Sequence, residues 1–218
     1  MYSLHRLVPP PPPARPAVAA FYVDGTLTTR DCVTPFLRRA AGRRLWITLL
    51  RHPLAVGASL AHRDRDGLKE LACSALAGLD SAETDALGQA FAREVASDWL
   101  RADTTARLER HRERGHAVLL ASASLDPYLL PLAASLGVDG VVCTTLERAA
   151  DGKLTGRLDG ANCRGAEKAR RVREWLQEHD LTGAELWAYG DSKGDDELLA
   201  LADHPLRVDG VKVDSEPG

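Results

Sequence analysis

The interval between the first apolar run and the second restricts the fold of this chain more than any other feature. Val18–Val23 reads as a short strand, and the next run that could pair beside it is Ala117–Ala121. From about Thr29 to Gly115 the sequence is almost wholly helical in character, and a structureless connection of that length is improbable inside a compact unit. It therefore folds as a helical layer of its own, with segments predicted at Pro35–Ala41, Leu45–Leu50, Leu54–Ala61, Gly67–Leu79 and Ser81–Leu100, after which Thr104–Arg114 returns to the sheet. Asp80-Ser81-Ala82-Glu83 supplies capping chemistry at the start of the fifth. Further strand-like runs follow at Gly140–Cys143, Glu185–Tyr189 and Leu206–Val208, alternating with helix-sized stretches. One of these opens at Asp126-Pro127, with Asp126 as cap, and closes at Gly137; another, Glu167–His179, carries Val172, Trp175 and Leu176 at core spacing. This alternation predicts an α/β fold, a doubly wound parallel sheet with an inserted helical cap. A lesser hairpin is predicted about Asp151-Gly152, between Thr144–Arg148 and Leu154–Leu158.

At 218 residues the chain is long enough for one core plus a smaller inserted unit. The expected division is a proline-rich leader at 1–17, a core formed by 18–29 with 115–210, a helical cap at 30–114 and a polar tail at 211–218. A net charge of −3, from 28 basic and 31 acidic residues, gives no global attraction to nucleic acid, and none is expected as a partner. Cys32, Cys73, Cys143 and Cys163 form no Cys-x-x-Cys pair, so they are read as free thiols and not as a zinc site or redox dithiol. The first residues lack the pattern of a secretory signal, and a cytoplasmic location is expected. Pro9–Pro13 should be an extended, stiff leader. The longest apolar stretch, Leu45–Ala61, is broken by Arg51-His52-Pro53 and is shorter than a span of about 18 uninterrupted apolar residues, so no stable membrane insertion is expected. Oligomeric state is left open.

Four short elements fall at strand ends or helix starts, the edge of an open α/β sheet where ligands bind. Asp24-Gly25-Thr26 ends the first strand, and Gly25 allows a sharp turn that keeps Asp24 and residue 22 together. Val118–Ala121 runs into Ser122-Ala123-Ser124, a hydroxyl followed by backbone N–H groups that could cradle an anion. Cys163-Arg164-Gly165-Ala166-Glu167-Lys168 places Lys168 in the first turn of a helix. Gly190-Asp191-Ser192-Lys193-Gly194-Asp195 sets two carboxylates four residues apart after a strand.

In order and spacing these elements resemble the haloacid dehalogenase-like phosphohydrolases, and within them the IB subfamily, whose members look like phosphoserine phosphatase and carry a helical cap between the first two motifs. The resemblance covers Val18 to about Val208 and implies a Rossmann-like core, a small phosphomonoester as substrate and Mg²⁺ as cofactor. It also implies roles. Ser122 would bind a phosphoryl oxygen with the amides of Ala123 and Ser124, and Lys168 would offset charge on nucleophile and phosphate. Asp191 would hold the metal through its carboxylate and Asp24 through its backbone carbonyl, with Asp195 supporting the shell. The Asp24 side chain would protonate the leaving alkoxide and then activate water.

The family's first motif reads apolar strand, Asp, any residue, Asp-Gly-Thr, and its first aspartate is the nucleophile that becomes phosphorylated. Here that position is Tyr22. A phenol of pKa near 10 is ionised in roughly one molecule in a thousand at pH 7, and its ring takes up volume that a phosphoryl group needs. No acidic residue precedes Asp24 that could replace it. Two readings follow: an impaired phosphatase, or a non-catalytic protein that binds phosphate metabolites. A third, an acyl- or lipid-phosphate role, is raised by Arg38, Arg39, Arg43, Arg44 and Arg51 flanking Leu45-Trp46-Ile47 and Leu49-Leu50, although a solvated helical surface is the commoner use of such a pattern. Whether Tyr22 is natural, engineered or a variant is open.

Overall fold

A computed structural model describes residues 15–208 and 212–214. The proline run 9–13 lies outside them. The elements, in chain order, begin with β1 (Ala17–Phe21) and six helices: α1 (Val33–Ala41), α2 (Arg43–Arg51), α3 (Pro53–His62), α4 (Arg65–Ser74), α5 (Ser81–Asp98) and α6 (Ala102–Glu113). Then come β2 (Ala117–Leu125), α7 (Asp126–Leu136), β3 (Gly140–Arg148), β4 (Leu154–Asp159), α8 (Ala166–Glu178), β5 (Glu185–Gly190), α9 (Asp196–Leu201) and β6 (His204–Arg207).

The sheet order is β4-β3-β2-β1-β5-β6. All neighbours are parallel except β3 and β4, which form the expected antiparallel hairpin. Alternate residues of β1 enter opposite cores, as the period of two demands. Ala19 and Phe21 pack with Phe36, Phe91, Trp99 and Tyr128 on the side of the inserted helices. Val18 and Ala20 pack with Val172, Trp175 and Leu176 of α8 on the other. The doubly wound α/β sheet is therefore present, and all six inserted helices form where helical character was read. Because the chain leaves β1 toward β2 and later returns to β5 on the other side, the sheet reverses direction beside β1, and a crevice opens at its carboxyl edge.

Several expectations need correction. β1 stops at Phe21, so Tyr22 lies just beyond the strand, held by its amide donating to the Tyr189 carbonyl at 2.9 Å. β2 runs on through Leu125, so Ser122-Ala123-Ser124 lies inside it and not after it. There the pairing with β3 slips, from Ala121 opposite Val142 to Leu125 opposite Thr144, a bulge that turns these side chains toward the crevice edge. Asp126 is not a helix cap: its Oδ1 accepts the Leu146 amide at 2.9 Å, and it pairs with Arg148 at 2.8 Å, which ties α7 to β3. The fourth inserted helix ends at Ser74, not Leu79, because the chain after it pairs with the hairpin instead. Gly78 donates to the Leu154 carbonyl, and Leu154 to that of Leu79, both at 2.8 Å. Within the segment read as a polar tail, Val213 is buried and its amide donates to Asp103 at 2.9 Å.

Candidate active site

The chain leaving β1 turns at once. Gly25 adopts φ +82°, a left-handed conformation that favours glycine, and a Cβ at this position would overlap the Asp191 carboxylate. The turn therefore brings the end of β5 against the end of β1. Asp191 Oδ1 is buried and has no hydrogen-bond partner among the described residues. Burial, and next the charge of Asp195, push its carboxyl above the ordinary range.

Asp24 is buried at 8% exposure. Its Oδ1 accepts the Cys32 amide at 2.8 Å, and its Oδ2 accepts the Ser124 hydroxyl at 2.9 Å. Burial foremost, then the charge of Asp31, raises its pKa to about 6, opposed by those two hydrogen bonds. A carboxyl poised there can give or take a proton near neutrality. Ser122 is set differently from the expectation. Its hydroxyl bonds to Ser124 Oγ and accepts the Ser124 amide, both at 3.0 Å, so Ser124 and not Ser122 is the hydroxyl that reaches Asp24. The Ser124 amide, expected in the anion cradle, is held by Ser122, and the Ala123 carbonyl accepts from Lys69.

Lys168 is 1% exposed and forms a buried ion pair with Asp195. The second oxygen of Asp195 accepts the Ser192 hydroxyl at 2.9 Å and the Ser192 amide at 3.1 Å. Asp195 is thus committed to a lysine and a turn, and it is no free metal ligand. Above this pair lies Tyr22: the Lys168 ammonium stands 3.9 Å from the centroid of its ring, a cation–π contact. Burial foremost, and then the negative charges of Asp24, Asp195 and Asp191, push the Tyr22 phenol well above its ordinary pKa. The hydroxyl is therefore neutral at pH 7.

A cleft of about 330 Å³ opens between α1, α4 and the sheet edge, lined by Tyr22, Asp24, Arg65, Lys69, Ala123 and Arg164 among others. Lys69 descends from α4 and donates to Asn162 Oδ1 at 2.6 Å, to Thr144 Oγ1 at 3.0 Å and to the Ala123 carbonyl. Burial lowers its pKa to about 8. Asn162 in turn donates to Asp66 at 2.7 Å. Neither Lys69 nor Asn162 was signalled by the sequence, apart from Asn162 standing immediately before Cys163-Arg164-Gly165. The four cysteines are free thiols, all buried.

No three His, Cys, Asp or Glu side chains among the described residues converge as a ready metal cage. That does not oppose Mg²⁺, which keeps several waters and takes one or two carboxylates plus substrate phosphate. The orphaned Asp191 oxygen beside the Gly25 turn fits such a hydrated cation. The donor set here is one carboxylate poorer than a site with aspartate at position 22 would be.

The haloacid dehalogenase-like hydrolase family matches residues 19–200. Protein CicA of Caulobacter vibrioides is 38% identical over 190 residues, covering 86% of this chain and 84% of its own. A phosphoserine phosphatase of Mycobacterium tuberculosis is 28% identical over 198 residues, covering 88% of this chain and 64% of its own. A solved phosphoserine phosphatase, described as a phospho-aspartyl intermediate analogue, shares the fold with a TM-score of 0.61 at 18% identity, covering 86% of this chain and 84% of that one. The chain belongs to the haloacid dehalogenase-like hydrolase family.

Proposed function

We propose that this chain is a phosphomonoester hydrolase of the haloacid dehalogenase type, subfamily IB, acting on a small phosphorylated metabolite, with turnover strongly impaired by Tyr22. The observation that carries the reading is the arrangement about Tyr22. Around it stand Asp24 with a pKa near 6, the Lys168–Asp195 pair and an unpartnered Asp191 oxygen, while the residue itself is a neutral phenol whose ring faces the Lys168 ammonium. In this reading the segment 30–114 acts as a cap over the core formed by 18–29 and 115–210. The likeness to phosphatases of other organisms supports the substrate class.

With aspartate at position 22, its carboxylate would attack phosphorus and displace the substrate alkoxide, and Asp24 would supply the proton to that alkoxide. Asp24 would then take a proton from the water that cleaves the aspartyl-phosphate. Lys168 balances the negative charge gathered at the strand ends, and Ser122 with the neighbouring amides positions the phosphoryl oxygens after a rotation away from Ser124. Mg²⁺, held by Asp191 and the Asp24 carbonyl with Asp195 behind them, would supply charge neutralisation between nucleophile and phosphate.

A paired assay tests this. The chain as it stands should release phosphate from a panel of phosphomonoesters barely above background, and Tyr22→Asp should gain at least about a thousandfold, with the gain abolished by EDTA. Equal, background-level rates in both chains over the whole panel would overturn the phosphatase reading. The second reading, a phosphate-metabolite-binding protein without turnover, is favoured by the neutral phenol; calorimetry showing tight binding by the unaltered chain, together with an inactive Tyr22→Asp variant, would select it.

A further inference from the structure

Between Asp31 and Asp64 the chain carries six arginines, at positions 38, 39, 43, 44, 51 and 63, and no carboxylate, although the protein as a whole is net negative. Five of the six large apolar side chains most exposed among the described residues fall in the same stretch: Trp46, Ile47, Leu50, Leu54 and Leu60. Leu50 and Leu54 are 78% and 88% exposed. α3, Pro-Leu-Ala-Val-Gly-Ala-Ser-Leu-Ala-His, is apolar around its circumference and has no buried residue. A helix of that composition is ordinarily covered by something. All six arginines are exposed, and Arg39 pairs with Glu94 at 2.7 Å.

We infer that the α2–α3 face docks on the surface of an anionic phospholipid bilayer, with Trp46, Ile47, Leu50, Leu54 and Leu60 entering the headgroup–acyl boundary and the arginines other than Arg39 facing lipid phosphates. Charge selects this occupant. A second copy of the chain docked on the same face through a two-fold axis would set arginine against arginine. An anionic bilayer offers both an apolar layer and negative charge, the two signals that together hold a peripheral protein. The docking is interfacial: no helix among the described residues is long and apolar enough to cross a membrane. It is independent of whether the cleft hydrolyses anything.

Co-sedimentation with vesicles tests it. The full chain should bind vesicles of equal parts phosphatidylglycerol and phosphatidylcholine at least about tenfold more tightly than pure phosphatidylcholine, and lose most of that binding between about 50 mM and about 500 mM NaCl. The double variant Leu50→Glu/Leu54→Glu, changed at exposed positions, should bind at least about tenfold more weakly with its melting temperature nearly unchanged. Arg43→Glu/Arg51→Glu should do the same. Failure to bind the anionic vesicles, or binding that survives both double variants, overturns the proposal. So does light scattering that shows a dimer of the unaltered chain dissolved by Leu50→Glu/Leu54→Glu, which would assign the face to a second copy.

Discussion

At the scale of single residues, two positions show how tightly the strand ends are drawn together. Gly25 has φ +82° and no room for a Cβ beside Asp191. Gly25→Ala should destabilise the fold by about 1–3 kcal/mol and, in the Tyr22→Asp background, lower phosphate release at least about tenfold by displacing Asp191. An alanine variant with unchanged melting and unchanged rate would disprove the crowding. Asp24 titrates in the folded chain near pH 6, above its ordinary 3.8, because burial disfavours the ion. The sign follows: its contribution to stability is full below pH 3.8 and is lost as pH rises through 6. Asp24→Asn keeps an acceptor for the Cys32 amide, and the Ser124 hydroxyl can turn to accept from the new NH₂. The variant should therefore match its parent at pH 4 and exceed it by up to about 3 kcal/mol at pH 8, two units at about 1.4 kcal/mol each. Melts across that range in EDTA check it; a pH-independent difference would show that Asp24 is not the titrating group.

At the scale of elements, the strands and the inserted helices were legible in the sequence because most are long enough for their apolar pattern to stand out: β1 and β5 were recognisable within a residue or two, and the start of β2 at Ala117 was recognised while its end at Leu125 was not. What the sequence hid is contact between elements. The bulge that keeps Ser122-Ala123-Ser124 within β2 depends on how β3 pairs beside it, and the end of α4 at Ser74 depends on a hairpin eighty residues later. Nothing near Val213 signals that it will be buried, since its partner is Asp103 of α6. Lys69 is the clearest case: on sequence alone it is one more helical lysine, yet it bridges the cap to Ala123, Thr144 and Asn162 of the core. Lys69→Met would remove a buried cation and take its side-chain donor from the Ala123 carbonyl, while Asn162 Oδ1 keeps the Thr144 hydroxyl and Thr144 Oγ1 keeps the Cys163 amide. Hydrogen exchange should then speed up in α4 and in the Ala75–Leu79 turn, by about tenfold or more, while the strands of the sheet stay protected. Uniform acceleration over the whole chain would mean general destabilisation instead of an unlatched cap.

Over the whole molecule, acid stability is set by buried groups pulling in opposite directions. His111 is fully buried in α6; its two ring nitrogens meet His116 Nδ1 at 2.9 Å and the Tyr189 hydroxyl at 2.8 Å, and Tyr189 stacks on Phe21 at 4.3 Å. Burial first, then the charges of His116, Arg107 and Arg114, lower its pKa from 6.5 to about 3. Its contribution to stability is therefore full above pH 6.5 and is lost as pH falls toward 3. His116 is lowered as well and adds to this loss, whereas Asp24, with Asp126 and Asp191 raised in the same sense, gains stability as pH falls. Between pH 6.5 and 4.5 the two effects offset each other, and the intact chain should show a shallow acid limb for a protein with a buried imidazole. Removing one side exposes the other. Asp24→Asn should steepen the loss of stability on acidification, and His111→Asn should reverse its sign over the same interval, whatever each substitution does to stability at pH 8. Denaturant midpoints at half-unit pH steps provide the measurement, and parallel curves for both variants and the parent would refute the coupling of site and core through these two groups.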